Sequence, residues 1–266
     1  MMKEMLKAIR AAVRGVCPNR RVGALLVALY VSLLAVLYLF ISTREASAGQ
    51  VLLTLIFAAL APALFFILQA VAVGYAQGEA KARVLLRRSL GDSCKLALVS
   101  LPLILLALLF VYLLDRFQLH SQLILKLIPP AWPLLAVRLL ASASETRQWS
   151  PVLMATLRLL IFAIMLPLLA IHLWSATVRD GLLPTLRRAP HTLAVAFSPS
   201  SVLTYTLGLT LFALIPYFLL LGHTHAEQAW LEMSLFVARL LLIFLFTLYG
   251  WTITLRALNQ RMKEDN

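Results

Sequence analysis

Long runs of apolar residues alternate with short polar stretches along the chain. A helix needs about 20 consecutive apolar residues to cross the hydrocarbon core of a membrane. Six runs reach that length or come close to it, and they cover 22–42, 50–76, 96–114, 152–175, 200–221 and 230–253. The pattern predicts an all-α polytopic membrane protein with six transmembrane helices.

A seventh apolar stretch, 122–142, differs from these six. It contains Lys126 and Arg138, and a diproline interrupts it at Pro129 and Pro130. A proline inside a helix removes an amide donor and clashes with the preceding turn, so we do not expect a straight span here. We predict a broken outer segment, interfacial or re-entrant, whose backbone is shielded by protein or wetted by water.

The distribution of basic residues predicts the orientation of the six spans. The threading places 17 of the 24 Lys and Arg residues on the side of the two termini and 5 on the opposite side, with Arg158 and Arg239 inside spans. Cytoplasmic loops carry an excess of Lys and Arg, so both termini are predicted to be cytoplasmic. We expect a bacterial inner membrane, because the loops are short and no eukaryotic sorting signal is visible. The 17 basic residues lie in 1–21, 77–95, 176–199 and 254–266.

The segments outside the spans complete the predicted organisation. Residues 1–21 place apolar and basic positions on opposite faces at helical spacing, which predicts a basic amphipathic helix on the cytoplasmic surface, with a solvated basic tail as the alternative. Residues 22–253 form the six-span domain, and 254–266 form a cytoplasmic tail. The small residues at 46–48 fit a signal-peptide cleavage site, but the first apolar run exceeds the roughly 7–15 residues of a signal peptide, so we expect it to be retained.

The composition excludes a soluble globular protein. Hydrophobic residues make up 62% of the 266 positions and charged residues 13%, whereas soluble domains carry about 25% charged residues. A net charge of +13 would suggest nucleic acid for a soluble protein, but here the basic residues flank apolar runs. We therefore expect membrane lipids and no nucleic acid as partners. Cys17 and Cys94 both fall on the predicted reducing side, so no disulfide is expected.

The sequence carries no recognisable catalytic or cofactor motif. It lacks a Gly-x-x-x-x-Gly-Lys phosphate loop, a Gly-x-Ser-x-Gly turn and a His-Glu-x-x-His pair, which argues against an ATPase, a serine hydrolase and a zinc protease. His223 and His225 with Glu227 make only a weak metal pattern. We predict no catalytic residue, no cofactor and no metal.

Four polar side chains inside spans are candidates for buried polar or lipid contacts. Arg239 lies near the middle of the sixth run, where a charge costs roughly 2.5–3.5 kcal/mol, so it should face protein, water or an anionic headgroup. Glu232 lies two turns earlier on the same face. Arg158 lies less deep and is expected to extend to the outer interface. Gln69 is expected to donate an interhelical hydrogen bond.

Aromatic and small residues near the span ends are explained by the membrane interface and by helix packing. Trp174, Trp230 and Trp251 are assigned to the interfacial aromatic belt. Gly74 and Gly78 have the spacing that permits a close contact between two helices.

A short basic sequence occurs twice, 100 residues apart. Val84–Ser89 is echoed by Pro184–Ala189, and each copy lies between two spans. Either the chain contains two parallel repeats, or pressure for a positive cytoplasmic side selected the Leu-Arg-Arg sequence twice. In both cases, the basic side chains are candidates for docking a partner. These candidates are Arg87, Arg88, Arg187 and Arg188.

The segments that contain the two basic sequences share a further pattern. In Arg83–Leu106 and Leu182–Leu221, a basic helix ends in a short polar stretch, Gly91-Asp92-Ser93 or Phe197-Ser198-Pro199, and turns into a span. This arrangement resembles poorly characterised bacterial six-helix inner-membrane families, such as the membrane domain fused to some glycerophosphodiester phosphodiesterases. The resemblance brings no catalytic residues and implies an accessory membrane domain rather than an enzyme.

Three classes of function follow from these observations. The first is a non-enzymatic inner-membrane subunit or accessory factor that binds or stabilises a membrane complex. The second is the permease subunit of a transporter, whose basic segments at 80–92 and 180–192 would dock on a separate ATPase. The third is a lipid-handling enzyme, which would need Asp, Glu, His or Ser side chains clustered at one membrane depth. The sequence shows no such cluster.

The predicted topology of the six spans is tested by finding which side of the membrane each loop and terminus faces. Reporter fusions at Asn266 and within 43–49 should report opposite sides, because one span separates that loop from the cytoplasmic N terminus. The same side for both would contradict the six-span topology.

The broken outer segment has its own test. Cysteines introduced at Ser121 and Ser144 should both be labelled from outside. Labelling of Ser144 from the cytoplasm alone would show that 122–142 spans the membrane.

Overall fold

The computed structural model describes residues 19–43, 47–79, 81–126, 153–222 and 228–264. All regular secondary structure in these ranges is helical, and six helices are long and apolar enough to cross a membrane. The predicted all-α fold with six spans is therefore confirmed. The predicted basic helix lies outside the described residues up to position 18, and the broken outer segment lies outside them from position 127.

The described residues form eight helices, which we number in chain order. They are α1 (Arg20–Ser42), α2 (Ala48–Ala76), α3 (Ala82–Lys126), α4 (Leu153–Asp180), α5 (Leu182–Arg187), α6 (Ala189–Ala196), α7 (Pro199–Leu221) and α8 (Ala229–Glu264). The short helices α5 and α6 connect the spans α4 and α7.

Side-chain caps set the beginning of three spans. The side chain of Asn19 accepts a hydrogen bond from the Val22 amide at 3.3 Å at the start of α1. Ser47 caps α2 in the same way, and Ser198 caps α7, which has Pro199 as its first residue. The first amides of a helix have no partner within it, so Asn and Ser oxygens are favoured at this position. Proline fits the first turn because its missing amide would be unpaired there anyway.

Among the described spans, which contain Pro62, Pro102, Pro167 and Pro216, two of these prolines coincide with a change of helix type. A π-helical segment, Leu160–Met165, precedes Pro167 in α4, and a second one, Thr210–Leu214, precedes Pro216 in α7. A proline ring clashes with the carbonyl four residues earlier, and here that carbonyl lies in the π-helical segment in both spans. The wider turn moves it away from the ring. The spans therefore continue past both prolines.

The chain divides into two compact units, and the first contains the described residues up to Val99 and from Ile171 onwards. Burial in this unit is concentrated at one end of its helices. Every residue is buried in Leu68–Ala76 of α2 and in Ile171–Val178 of α4. We call this end the basic end, because the helix termini and turns there carry Arg20, Arg21, Lys81, Arg83, Arg87, Arg88, Arg179, Arg187 and Arg188.

Large apolar side chains are exposed away from the basic end. Ile41 of α1 is 81% exposed, and side chains of α2, α7 and α8 are exposed in the same manner. Such surfaces are suited to the acyl chains of a lipid bilayer, which solvate apolar side chains. The group includes Tyr38, Leu55, Phe218, Val237 and Leu241.

Glycines allow the helices of the first unit to approach closely. A methyl group on Gly74 of α2 would meet the Leu85 side chain of α3, and one on Gly208 of α7 would overlap the Thr254 side chain of α8. Small residues at helix contacts are typical of membrane proteins, where association depends on van der Waals packing. Gly78 has a different role: it lies beyond the end of α2 and has a φ of +110°, which favours glycine.

Two predicted boundaries differ from the structure. Helix α3 begins at Ala82 and passes through Gly91-Asp92-Ser93 without interruption, so the first basic helix does not end there. The predicted tail from position 254 is instead the last part of α8, and Leu255 and Leu258 are fully buried. Both segments were placed outside the spans because they are less apolar, but they lack the Pro or Gly-rich breaks that end a helix. The break at Phe197-Ser198 is present.

The second unit contains Ser100–Ala170. Its described helices are the later part of α3 and the first part of α4. Leu114 of α3 and Met154 and Ile161 of α4 form its buried cluster. Partly buried apolar side chains, Phe110, Phe162 and Leu166, surround this cluster.

The contact at Gly208 yields a test of packing at the basic end. Gly208→Ala should lower the free energy of unfolding by about 1–3 kcal/mol, because the added methyl group overpacks a fitted contact. Gly208→Ala combined with Thr254→Ala should recover part of the loss. Gly91→Ala is the control, since nothing lies within 4 Å of its added methyl group. Thermal unfolding in detergent measures all three. Equal stability of Gly208→Ala and Gly91→Ala would contradict the tight contact.

Candidate functional site

The basic end contains a charged network on one face of α3. The Asp92 side chain is only 8% exposed and lies between two cations. Lys95 Nζ is 2.7 Å from its Oδ1, and Arg88 Nε is 3.5 Å from its Oδ2. A nearly buried carboxylate is costly unless it is paired and hydrogen-bonded. The two cations provide that pairing and fix the Arg88 side chain in turn.

Arg88 and Gln77 connect this network to the end of α4. Arg88 Nη2 donates a hydrogen bond to the Val178 carbonyl at 3.2 Å, and Gln77 Nε2 donates one to the Ser175 carbonyl at 2.8 Å. The Val178 carbonyl is one of the last four of α4, which have no partner within the helix, and the helix dipole favours a cation such as Arg88 there. The α2–α3 turn and α3 are thereby held against the last turns of α4.

A cavity of about 310 Å³ lies beside these hydrogen bonds. Its charged lining residues are Arg88, Glu79 and Asp92, so one cation faces two carboxylates. Because the two carboxylates outnumber the single guanidinium group, the lining does not favour an anion. The arrangement around Arg88 fixes the position of that side chain more than it builds an anion site.

The four predicted docking arginines separate into two groups. Arg88 belongs to the network described above. Arg87, Arg187 and Arg188 are exposed, and they form no ion pair with the described part of the chain. Three guanidinium groups are thus presented at the basic end with their hydrogen-bonding capacity available.

The two copies of the basic sequence share a local pattern but differ in how they continue. Leu85 and Thr185 are buried at equivalent positions, and the arginines that follow are exposed. Helix α3 runs on, whereas α5 ends at Arg187. Pro190 explains the difference, since its ring would clash with the carbonyl four residues earlier in a continuous helix.

Arg239 contacts the end of a neighbouring span. The side chain is half-buried, and its Nη1 donates a hydrogen bond to the Gly222 carbonyl, at the C-terminal cap of α7. This acceptor is an exposed backbone carbonyl, and the location at a helix C terminus favours a cation. Helix α8 has 36 residues and begins at Ala229, so Arg239 lies in the first third of the helix rather than near its middle. Glu232 is exposed in the first turn of α8.

Arg158 and Gln69 have partners that were not predicted. In the second unit, Arg158 Nη2 pairs with Asp115 Oδ1 at 2.6 Å, so the arginine joins two helices rather than only extending to the interface. In the first unit, Gln69 accepts a hydrogen bond at 2.9 Å from Trp251 Nε1, whereas the sequence suggested a donor. Asp115 ends an apolar run, which was the available signal, but its partner is 43 residues away.

Two tryptophans assigned to the interfacial belt have contacts within the protein. The Trp251 indole bonds Gln69 and packs edge-on against Phe212, with ring centroids 5.2 Å apart. Trp174 is buried and packs edge-on against Phe65. Trp230 is exposed near the start of α8, as expected for a belt residue.

Comparisons with known proteins give no family for this chain. No protein-family model matches it, and neither a characterised protein nor a solved structure shows significant similarity. Among the described residues, no group of three His, Cys, Asp or Glu side chains is placed to hold a metal. His223, His225 and Glu227 lie outside the described residues.

The Arg239 contact predicts a stability defect that depends on guanidinium geometry. Arg239→Leu should lower the free energy of unfolding by about 1.5–3 kcal/mol, the usual contribution of a hydrogen bond to a charged group. Arg239→Lys should recover part of that loss, because it keeps the charge but not the planar fork. Val237→Leu, which changes an exposed side chain of the same helix, is the control. Unchanged thermal unfolding of Arg239→Leu would contradict a role for this contact.

Proposed function

We propose that the chain is a non-enzymatic integral subunit or accessory factor of an inner-membrane complex. Its basic end would face the cytoplasm and dock an acidic surface of a partner subunit. The observation that carries this proposal is the exposure of Arg87, Arg187 and Arg188 at a tightly packed end, without an ion pair to the described residues. An arginine fork matches a carboxylate in shape and charge, so acidic side chains of a partner suit these groups.

The packing beneath the arginines supports docking on a preformed surface. Leu85 and Thr185 anchor the two basic segments by their buried side chains, and Arg88 ties α3 to α4. A preformed surface loses less conformational entropy on binding than a mobile loop does. The three arginines are therefore better suited to a specific partner than to diffuse attraction by lipid headgroups.

A permease subunit is the second candidate, because unpartnered polar atoms lie inside the basic end. The hydroxyls of Ser175, Thr177 and Thr204 and the amide nitrogen of Asn259 are buried and have no hydrogen-bond partner among the described residues. Buried polar groups without partners are costly, and a hydrated path or a polar substrate would satisfy them. In that case α5 and α6 would contact a separate ATPase.

The proposal is tested by purifying the full chain in mild detergent and identifying stoichiometric partners. Arg87→Glu combined with Arg187→Glu should reduce recovery of the partner by about tenfold or more, which corresponds to a loss of about 1.4 kcal/mol. Arg20→Glu combined with Arg21→Glu is the matched control, because it changes the net charge equally at the same end. Equal recovery from both double variants would contradict docking through the basic segments, and recovery of an ATPase would support the permease instead.

A further inference from the structure

The cavity beside Arg88 is also lined by polar groups that the Arg88 network does not use. It has a volume of about 310 Å³ and is partly open. Gln77, Gly78 and Glu79 line it, and they belong to the turn that joins the spans α2 and α3. Ser89 of α3 lines it as well. A ligand in this cavity would therefore meet polar groups of the turn and of the helix that follows.

Glu79 brings a carboxylate without a matching cation to the cavity. Its Oε1 accepts a hydrogen bond at 3.3 Å from the Lys81 amide. Among the residues that the structure describes, no basic side chain forms an ion pair with Glu79. Asp92, the other acidic residue of the lining, is already paired with Arg88 and Lys95. One negative charge of the lining is thus left for a ligand.

Ser89 gives a second and independent indication of a ligand. The residue is 2% exposed and lines the cavity. Its hydroxyl makes no hydrogen bond within the described part of the chain, whereas Thr185 at the other basic segment donates to the Gly181 carbonyl one turn earlier. A buried hydroxyl without a partner is costly. A ligand in the cavity would remove that cost.

Gln77 supplies a third polar oxygen. Its Nε2 donates to the Ser175 carbonyl at 2.8 Å, which orients the amide, and its Oε1 accepts from none of the described residues. The available acceptors are thus a carboxylate, a hydroxyl and an amide oxygen. Ca²⁺ and Mg²⁺ take about six or more oxygen ligands, so three acceptors do not suit them. A primary ammonium group has three N–H donors and needs the same number of acceptors.

We propose that this cavity binds a primary ammonium group. The ammonium donates to the Glu79 carboxylate, the Ser89 hydroxyl and the Gln77 amide oxygen, and its charge balances that of Glu79. Hydrogen bonds between charged partners are the strongest of these, so Glu79 contributes most to affinity. The ammonium belongs to the headgroup of phosphatidylethanolamine or to a soluble amine, since the cavity is partly open beside a turn between two spans.

The first arm of the test compares lipids that differ only at the headgroup nitrogen. The full chain in mild detergent is incubated with phosphatidylethanolamine and phosphatidylcholine of identical acyl chains, and bound lipid is counted by native mass spectrometry. The choline nitrogen carries methyl groups and no N–H, so phosphatidylcholine should bind about tenfold more weakly. Lipids with one or two methyl groups on this nitrogen should fall between the two.

The second arm tests a soluble source of the ammonium. Ethanolamine is titrated against the chain in detergent, with tetramethylammonium as the control, and thermal unfolding is measured. A bound ligand raises the midpoint of unfolding as its concentration rises, so ethanolamine should stabilise the chain and tetramethylammonium should not. A preference for N–H donors in the lipid arm alone identifies the headgroup as the source, and a preference in this arm identifies a soluble amine.

Variants connect the preference to the cavity. Glu79→Gln should weaken binding of the preferred ligand by about tenfold, because the amide keeps an acceptor for Lys81 but loses the charge. Ser89→Ala should weaken it by about threefold, the effect of one neutral hydrogen bond. Asp180→Asn is the matched control: it also removes one negative charge at the basic end, but Asp180 is exposed and does not line the cavity.

Two results would overturn the proposal. The first is equal binding of the primary and the methylated ligands in both arms, which would show that no ammonium site exists and which does not depend on any variant being stable. The second is a preference that Glu79→Gln leaves unchanged, which would place the ammonium elsewhere on the chain. Recovery of a partner through the exposed arginines is measured separately, so either proposal can fail while the other holds.

Discussion

The structure depends on one constraint, which is that a polar group in hydrocarbon must find its partner within the protein. The contacts that meet this requirement join different helices. Arg239 bonds the Gly222 carbonyl at the C-terminal cap of α7, and the Trp251 indole bonds Gln69 across α2 and α8. Each bond would be lost if its two helices separated. These few polar contacts therefore help to fix which helices are neighbours, together with the close packing at Gly74 and Gly208.

Close packing and exposure are divided between the two ends of the first unit. At the basic end, glycines bring α2 against α3 and α7 against α8, and every side chain in Ile171–Val178 of α4 is buried. Away from this end, large apolar side chains are exposed. One end can thus present a fixed charged surface, while the remainder is solvated by lipid.

The sequence predicts the spans well because the length of an apolar run is a local property. Its limits appear where a feature depends on a distant residue. Asp115 could not be linked to Arg158, and the direction of the Gln69 hydrogen bond is set by an indole 182 residues away. The extensions of α3 to Ala82 and of α8 to Glu264 were missed because hydropathy falls there while helix formation continues. The basic segments were identifiable as candidates, but only the fold separates Arg88 from the exposed Arg87.

The π-helical segments in α4 and α7 have a consequence for how the faces of these spans are assigned. A π turn holds more residues than an α turn, and successive residues of an α-helix are rotated by about 100°. Side chains after Leu160–Met165 therefore follow a different angular phase from those before it, and the same holds across Thr210–Leu214. A single helical wheel drawn through either span therefore misplaces the residues on one side of its π-helical segment relative to those on the other.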